Sequence, residues 1–550
     1  MSETQLSDQY LYQSSLKSDP DIKVSSGKRV PFVIDLNQGS YQNGVITIDA
    51  TSQLNGSEGF ASLRDAYIML PYKVSMKNTH ATNGQAAANR FCVSLKCGNW
   101  NVIDSMSLEL NGKTIVSRAN YKLFWNNIRA QTGYSPQYVE KHGAKSFLYP
   151  DAAQLTKYSG SSNPSSKGDG YSNNMPISTT FNAGIVSATA SVANDGFAKR
   201  LLSNPPNAGA DSSATWPSTG GASATTTIAN QLGRGAFVAG AGTVGSIMGT
   251  WNYMLKIKLV DLHPIFKELD LMANPQIRLR FRVNQGTAAI DIDSSTRMTL
   301  SSTTLSSGNT CPVMVASATS PAPMYSVIGG PGSIAVSWGA VVNALEPTID
   351  GTYMPFTTSR LYVPFVHLEN PQAIISKPVK KVRYNDCYAQ WFYQRVGIGK
   401  QLTQLNVSFD LQLSASVKNA NPFDSAPWTL QPGSSIRNFN VRIGSTQCFD
   451  ISHDYDFHQF TNEFAKIASI NGDLTPELVN GLLDYQTWSL TNRVLIADVS
   501  RLTEKEAPQA IQIQGTNAGC QGTNMLVLVV SEQELTLDRL TGEILDFTTA

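Results

Sequence analysis

Charge is what this chain has least of. Asp, Glu, Lys and Arg make up only 15% of its 550 residues, against about 25% in an ordinary globular chain. The formal net charge is +1, too small a field to gather nucleic acid or an anionic membrane. No Lys/Arg-rich arm occurs at the start, where MSETQLSDQYLYQSSLKSDPDIK mixes both signs around no apolar core. Direct nucleic-acid binding is therefore not expected, and neither is a secretory leader. No run of about 18 apolar residues is present to cross a bilayer as a helix. The six cysteines (Cys92, Cys97, Cys311, Cys387, Cys448, Cys520) are spread thinly. They read as reduced residues of a protein made in a reducing compartment.

Period-two alternation is what the chain has in abundance. Ala66, Ile68, Leu70, Tyr72, Val74 and Met76 alternate with other residues, as do Trp251, Tyr253, Leu255, Ile257 and Leu259. So do Val407, Phe409, Leu411, Leu413, Ala415 and Val417. Each is the mark of a strand with one buried face. Asn111-Gly112 closes one such run and predicts a hairpin, because both residues accept positive φ. Short helical patterns interrupt the strands. Ser117 is a candidate cap for a helix holding Tyr121, Phe124 and Ile128. DLHPIFKELDLM, with Asp261 as candidate cap and Pro264 in the first turn, is another. A third carries Phe457, Phe460, Phe464 and Ile467 on one face, with Asp454 as its expected cap. MLVLVV (525–530) predicts a strand buried on both faces. The fold class expected is all-β, sandwiches with short helices in their loops.

LELNGKTIVSRANYKLFWNNI can be laid on VRIGSTQCFDISHDYDFHQFTNEF, with Gly112 falling on Gly444. This layout points to a duplicated unit. The expected division is an arm over 1–30, a first unit over 31–290, a linker and loop region over 291–350, and a second unit over 351–550. Within the first unit, 158–250 is rich in Ser, Gly, Ala, Asn and Thr and is read as a long surface insertion. Ile277, Leu279, Phe281 and Val283 alternate with Arg278, Arg280 and Arg282, giving one apolar and one triply cationic strand face. A solvated face is one reading of it. The other is an ion-paired contact with a neighbouring subunit, since the Arg fork suits carboxylates.

Catalytic and metal motifs do not survive their context. Gly240, Gly242 and Gly245 match a dinucleotide fingerprint, but strand period, not a helix, follows them. His453 and His458 are spaced so that they diverge on a helix, and Cys92 and Cys97 fall on opposite strand faces, so no zinc set forms. No cofactor or metal and no catalytic residues are expected.

The order KKVRYNDCY (380–388), ASVKN (415–419), NPFDSAPW (421–428) and HDYDFHQF (453–460) resembles double jelly-roll major capsid proteins of small eukaryotic dsDNA viruses. These are the Polinton-like virus and virophage type, within the adenovirus-like capsid lineage. The likeness is closest over Leu361 to about Val530; the first half matches in layout, and 158–250 matches nothing. The resemblance implies two tandem eight-stranded jelly rolls per chain. It implies homotrimeric, pseudo-hexagonal capsomers in an icosahedral virion shell, with neighbouring capsomers, penton and minor capsid proteins as partners. The residues expected at subunit or jelly-roll contacts are Arg278, Arg280, Arg282, Tyr384, Asp386, Tyr388, Trp391, Phe457, Phe460 and Phe464. The rivals are a bilobed jelly-roll glycan hydrolase and a carbohydrate-binding lectin.

Overall fold

A computed structural model describes residues 24–34, 44–49, 59–78, 91–95, 98–118, 123–148, 236–237, 247–293 without Asn274, 297–303, 313–317, 332–338, 359–393, 401–402, 436–464 without His453, single positions between 482 and 499, 511–517 and 524–548. Most of the 158–250 insertion, the alternating run Val407–Val417 and the NPFDSAPW loop lie outside them.

The described residues form antiparallel sheets with short helices between them. The hub of the largest, nine-stranded sheet is Tyr67–Asn78. Along one edge it pairs with Ile247–Lys258. Along the other it pairs with Ser359–Leu368 over its first residues and with Gly332–Trp338 further on. Val24–Ile34 closes one side of this sheet on Ser359–Leu368, and Gly286–Asp293 and Arg297–Thr303 extend the other. A four-stranded sheet orders Val45–Asp49, Ile277–Val283, Ile103–Leu110 and Lys113–Arg118.

The two sheets meet through the residues whose alternation marks them in the sequence. Ile68, Leu70, Tyr72 and Val74 share one core with Ile277, Leu279, Phe281, Val283, Met106 and Leu108. Every one of these is nearly or fully buried, and at about 25 cal/mol per Å² such burial is the main stabilising term. The Tyr72 hydroxyl donates to the Asn284 carbonyl at 2.8 Å, so the one polar atom on this face has a partner.

Strand pairing moves two of the expected boundaries. Residues read as a linker contribute Gly332–Trp338, which inserts beside the hub strand, and Val313–Ser317, which pairs with Phe91–Leu95. Leu361–Leu368, expected to open the second unit, lies between Val24–Ile34 and the hub strand. Alternation identifies such strands but carries no information about which edge they join.

The remaining strands form a three-stranded sheet, Val379–Tyr393, Asn524–Asp538 and Ile544–Thr548, and a four-stranded one. The latter orders Gln401–Leu402, Ile511–Asn517, Ile436–Ile443 and Thr446–Gln447. A second core gathers Phe439, Val441, Phe449, Tyr455, Phe460, Trp488 and Ile513. Its helix, Phe457–Phe464, stacks Phe460 on Phe457, Phe464 and Trp488 at centroid distances of 5.7, 5.5 and 5.2 Å. In 525–530, Val527 is buried while Leu528, Val529 and Val530 are only partly so, less than the two-faced burial expected.

The caps differ from expectation too. Ser117 lies inside the strand Lys113–Arg118, and the helix after it runs Leu123–Gly133. Ser135, unforeseen, caps Pro136–His142 by accepting from the Tyr138 N–H at 3.1 Å. Asp456 rather than Asp454 accepts from the first turn of the aromatic helix, from the Gln459 N–H at 2.8 Å. Asp454 instead accepts from the Asn438 N–H. The hairpin at Asn111-Gly112 does form, with φ of 46° and 76°. A Cβ at Gly112 would meet nothing within 4 Å, so Gly112→Ala isolates the backbone cost. It should lower stability by about 1 kcal/mol, read by urea unfolding.

Candidate assembly surface and the junction between the cores

The strand Val379–Tyr393 packs against the first core, and its two faces have different neighbours. Val382 and Tyr384, with Leu535, Leu537 and Ile544 from the same sheet, belong to the first core. Between them the even-numbered residues 380 and 386 make polar contacts to the segment 259–270. The Lys380 ammonium reaches Asp270 Oδ1 and the Glu268 carbonyl, both at 2.8 Å. His263 is fully buried, and its Nδ1 accepts from the Ile265 N–H at 3.1 Å. Its proton therefore sits on Nε2, which faces Asp386 Oδ1 at 3.3 Å. So His263, not Asp261, caps the turn Pro264–Lys267. Trp125 and Tyr384 present ring edges to the same imidazole.

Backbone bonds add to this seam. Ala273 donates to the Arg539 carbonyl, Arg539 to that of Pro378, and Leu482 to that of Gln131. Lys113 Nζ donates to the Ile544 carbonyl at 3.2 Å. Residues far apart in sequence thus close this seam, between the three-stranded sheet and the rest of the first core, by hydrogen bonds as well as by apolar burial.

On the solvent side of the same strand, Lys381 pairs with Glu534 at 2.5 Å and Arg383 with Glu534 and Glu532 at 3.2 and 3.5 Å. The Lys381 ammonium is the main reason the Glu534 carboxyl titrates below its ordinary range. Large apolar side chains are exposed on both faces of this sheet: Val379 and Tyr388, nine positions apart and of opposite parity on the strand, Leu545 on Ile544–Thr548, and Ile375 just before Val379, each 43 to 55% exposed.

The arginine stripe is exposed, as its alternation requires. Arg278 bridges Asp49 at 3.1 Å and Glu109 at 3.4 Å on the two flanking strands. Arg282 lies 4.0 Å from Asp104. Arg280, facing Thr47 and Ser107 across the ladders, has no ion pair among the described residues. Burial outweighs Arg282 at Asp104 and raises its pKa above the usual carboxylate value. A raised folded-state pKa means the folded chain binds this proton more tightly, so Asp104 adds stability as pH falls through that pKa. Asp104→Asn should be at least as stable as the parent at pH 7 and should lose that gain near pH 4, read by urea titrations at the two values.

Of the expected contact residues, then, Tyr384 and Asp386 lie in the seam inside one chain, and Phe460 is the centre of the second core. Phe457 and Phe464 are partly buried against that core. Tyr388 and the three arginines face solvent. Trp391 pairs through its backbone with Leu526, and its side chain lies outside the described residues. The helix Leu123–Gly133 and the buried His263 escape sequence reasoning as seam residues. The one available signal is that LFWNNIRAQTG is a helix with several amides on it.

No family model and no curated protein sequence matches the chain. Among solved structures, the chain is similar to one of the Sputnik virophage determined by cryo-EM, at 11% identity and a TM-score of 0.47, covering 97% of this chain and 91% of that one. The mavirus major capsid protein follows at 13% identity and a TM-score of 0.39, covering 97% and 92%. A quasi-atomic model of the PBCV-1 virus capsid gives 8% and 0.33, covering 97% and 100%. At TM-scores below 0.5 the chain's own geometry carries its functional reading. No helix among the described residues is long and apolar enough to cross a membrane.

Proposed function

We propose that the chain is a major capsid protein, a two-lobed building block that assembles laterally into trimers and then into a shell. The carrying observation is the seam. The three-stranded sheet, built from the second half of the chain, is held on the first core by Lys380, His263, Asp386 and the backbone bonds around them, and a second β core lies in the same chain. Three two-lobed chains about a threefold axis present six lobes, and a six-lobed footprint tiles a surface by hexagonal packing. The motif order KKVRYNDCY, ASVKN, NPFDSAPW and HDYDFHQF supports the same reading. Low charge suits a surface largely covered by copies of itself.

Contacts between copies are assigned to two surfaces. One is the solvent face of the three-stranded sheet, with Val379 and Leu545, whose exposed apolar groups gain most from being covered. The other is the arginine stripe, where Arg278 and Arg282 are engaged within the chain and Arg280 remains for a carboxylate of a neighbouring subunit. Permanent interfaces of this kind bury upwards of about 2,000 Å².

The test is size. Light scattering on a sizing column should give three times the chain mass, and electron microscopy should show trimers or shells. A monomer that releases glycans would instead favour the hydrolase. Arg280→Glu should weaken the trimer without shifting the unfolding midpoint; a trimer indifferent to it removes the stripe from the interface.

A further inference from the structure

The buried histidine of the seam has no place for a second proton. His263 is fully buried, whereas His142 and His458 are exposed and His367 is half-buried. Both of its ring nitrogens are committed. Nδ1 accepts from the Ile265 N–H at 3.1 Å, the bond that caps the turn Pro264–Lys267. Nε2 carries the proton and points it at Asp386 Oδ1, 3.3 Å away. A further proton can enter only at Nδ1, where a donor already faces the ring. Two N–H groups cannot share one hydrogen bond, so a charged His263 and a capped turn exclude each other.

Charged and titratable groups reach this region from three elements. The strand Val379–Tyr393 supplies Asp386 and Tyr384, and burial pushes the Tyr384 hydroxyl up, so it stays neutral. The same strand brings Lys380 to Asp270 and the Glu268 carbonyl. The helix Leu123–Gly133 presents the neutral Trp125 ring and, one turn on, Arg129, which donates to the Val260 carbonyl at 3.3 Å. On the histidine's own segment, Asp261 accepts from the Tyr134 hydroxyl at 2.6 Å. Arg129 and Asp261 line a common cleft there, together with Lys267 and Glu268. Asp386 is the carboxylate in hydrogen-bond contact with the ring, and it favours a charged imidazole. Full burial and the lost cap oppose one. The Asp386 side chain is 21% exposed, so solvent screens part of its pull, and burial with the lost cap prevails.

We propose that His263 is an acid-sensitive switch in the seam: a second proton on its ring uncaps the turn Pro264–Lys267 and loosens the strand Val379–Tyr393 packed on it. The unfolded chain takes up that proton at the ordinary histidine value, about pH 6.5. The folded chain takes it up less readily, because the Ile265 bond must be given up. Below about pH 6.5 the unfolded state therefore binds more protons, and stability falls as the pH drops. Asp261 works in the opposite direction. Burial raises its pKa, so the folded chain binds that proton more tightly and gains stability on acidification. The sign of the effect separates the two groups. The switch acts within one chain, so a monomer has it as fully as a trimer. That acid would loosen every building block of a shell rests on the capsid reading.

The experiment uses the full chain and hydrogen–deuterium exchange read by mass spectrometry at pH 7.5 and 5.0, each rate divided by the intrinsic rate at that pH. Protection of the segments 259–270 and 379–393 should fall about tenfold at the lower pH. His263→Asn keeps an oxygen acceptor in place of Nδ1 and has no proton to gain, so its protection should not fall. Asp386→Asn keeps an acceptor for Nε2 but removes the pull on the charged ring, so its protection should fall further than the parent's. Equal protection of the parent at the two pH values would overturn the proposal. The same drop in His263→Asn as in the parent would overturn it too, as would a smaller drop in Asp386→Asn. Should the buried substitution His263→Asn fail to fold, the comparison of Asp386→Asn with the parent still decides. None of these outcomes bears on the trimer measured by light scattering, so the two proposals fail separately.

Discussion

Phe460→Ala should melt the second core and leave the first nearly unchanged. Phe460 is 1% exposed and stacks on Phe457, Phe464 and Trp488. Truncating such a ring removes its transfer free energy and leaves a cavity that flat rings close poorly, at a typical cost of about 3–5 kcal/mol. The second core is the smaller of the two among the described residues and Phe460 stands at the centre of its aromatic stack, so that loss is a large share of its stability. The first core gathers many more, including Phe266, which is fully buried. Unfolding followed by tryptophan fluorescence and by limited proteolysis should therefore separate into two stages in the variant, with cleavage appearing first after residue 393. Phe266→Ala is the counterpart and should move the other stage. A single transition shifted equally by both substitutions would show that the two cores unfold as one cooperative unit.

Asn127→Leu is the second large effect, and its cause is polar. The side chains of Asn101 and Asn127 exchange reciprocal amide bonds, both at 3.0 Å. Asn127 Oδ1 also accepts from the Trp100 indole N–H at 2.8 Å. All three residues are at most 4% exposed. Leucine keeps the volume but leaves the indole N–H and the Asn101 carbonyl oxygen without these partners in the interior. Each of these two orphaned groups costs about 1–3 kcal/mol, so the sum is about 2–6 kcal/mol. A double-mutant cycle separates this from packing. Trp100→Phe removes the orphaned donor, so its added cost should be smaller in the Asn127→Leu background than in the parent. Additive costs would show that the indole bond contributes nothing of its own. Because Asn127 is on the helix Leu123–Gly133, whose Trp125 ring meets His263, the same variant should also loosen the seam.

Much of the fold is legible in the sequence, and the residues show which part. Wherever one face of a strand meets core and the other meets solvent, the alternation is strict, as in Ile277–Val283 with its buried aliphatics and exposed arginines. The hairpin at Asn111-Gly112 is legible because positive φ restricts residue choice. The aromatic helix is legible because Phe457, Phe460 and Phe464 repeat at helical spacing. Caps are less so. Ser117, Asp261 and Asp454 are all cap-forming types, yet strand pairing or a neighbouring donor group claims each of them, and His263 and Asp456 take the capping positions instead.

The seam could not be read in advance. Lys380, Tyr384 and Asp386 stand on a strand where period two says only that they share a face. That this face meets His263, Asp270 and the first core depends on contacts between residues more than a hundred positions apart. The amino-acid order alone determined the antiparallel β class, the buried faces and the pairing of Asn with Gly at the hairpin, because each follows from local sterics and from which side chains water rejects. Only the tertiary structure decided that Ser359–Leu368 and Gly332–Trp338 belong to the first sheet, that Arg280 is the stripe arginine without an ion pair among the described residues, and that Arg129 and Asp261 face a common cleft. Those are matters of which surfaces meet across long stretches of chain, and hydrophobic periodicity is blind to the identity of the partner.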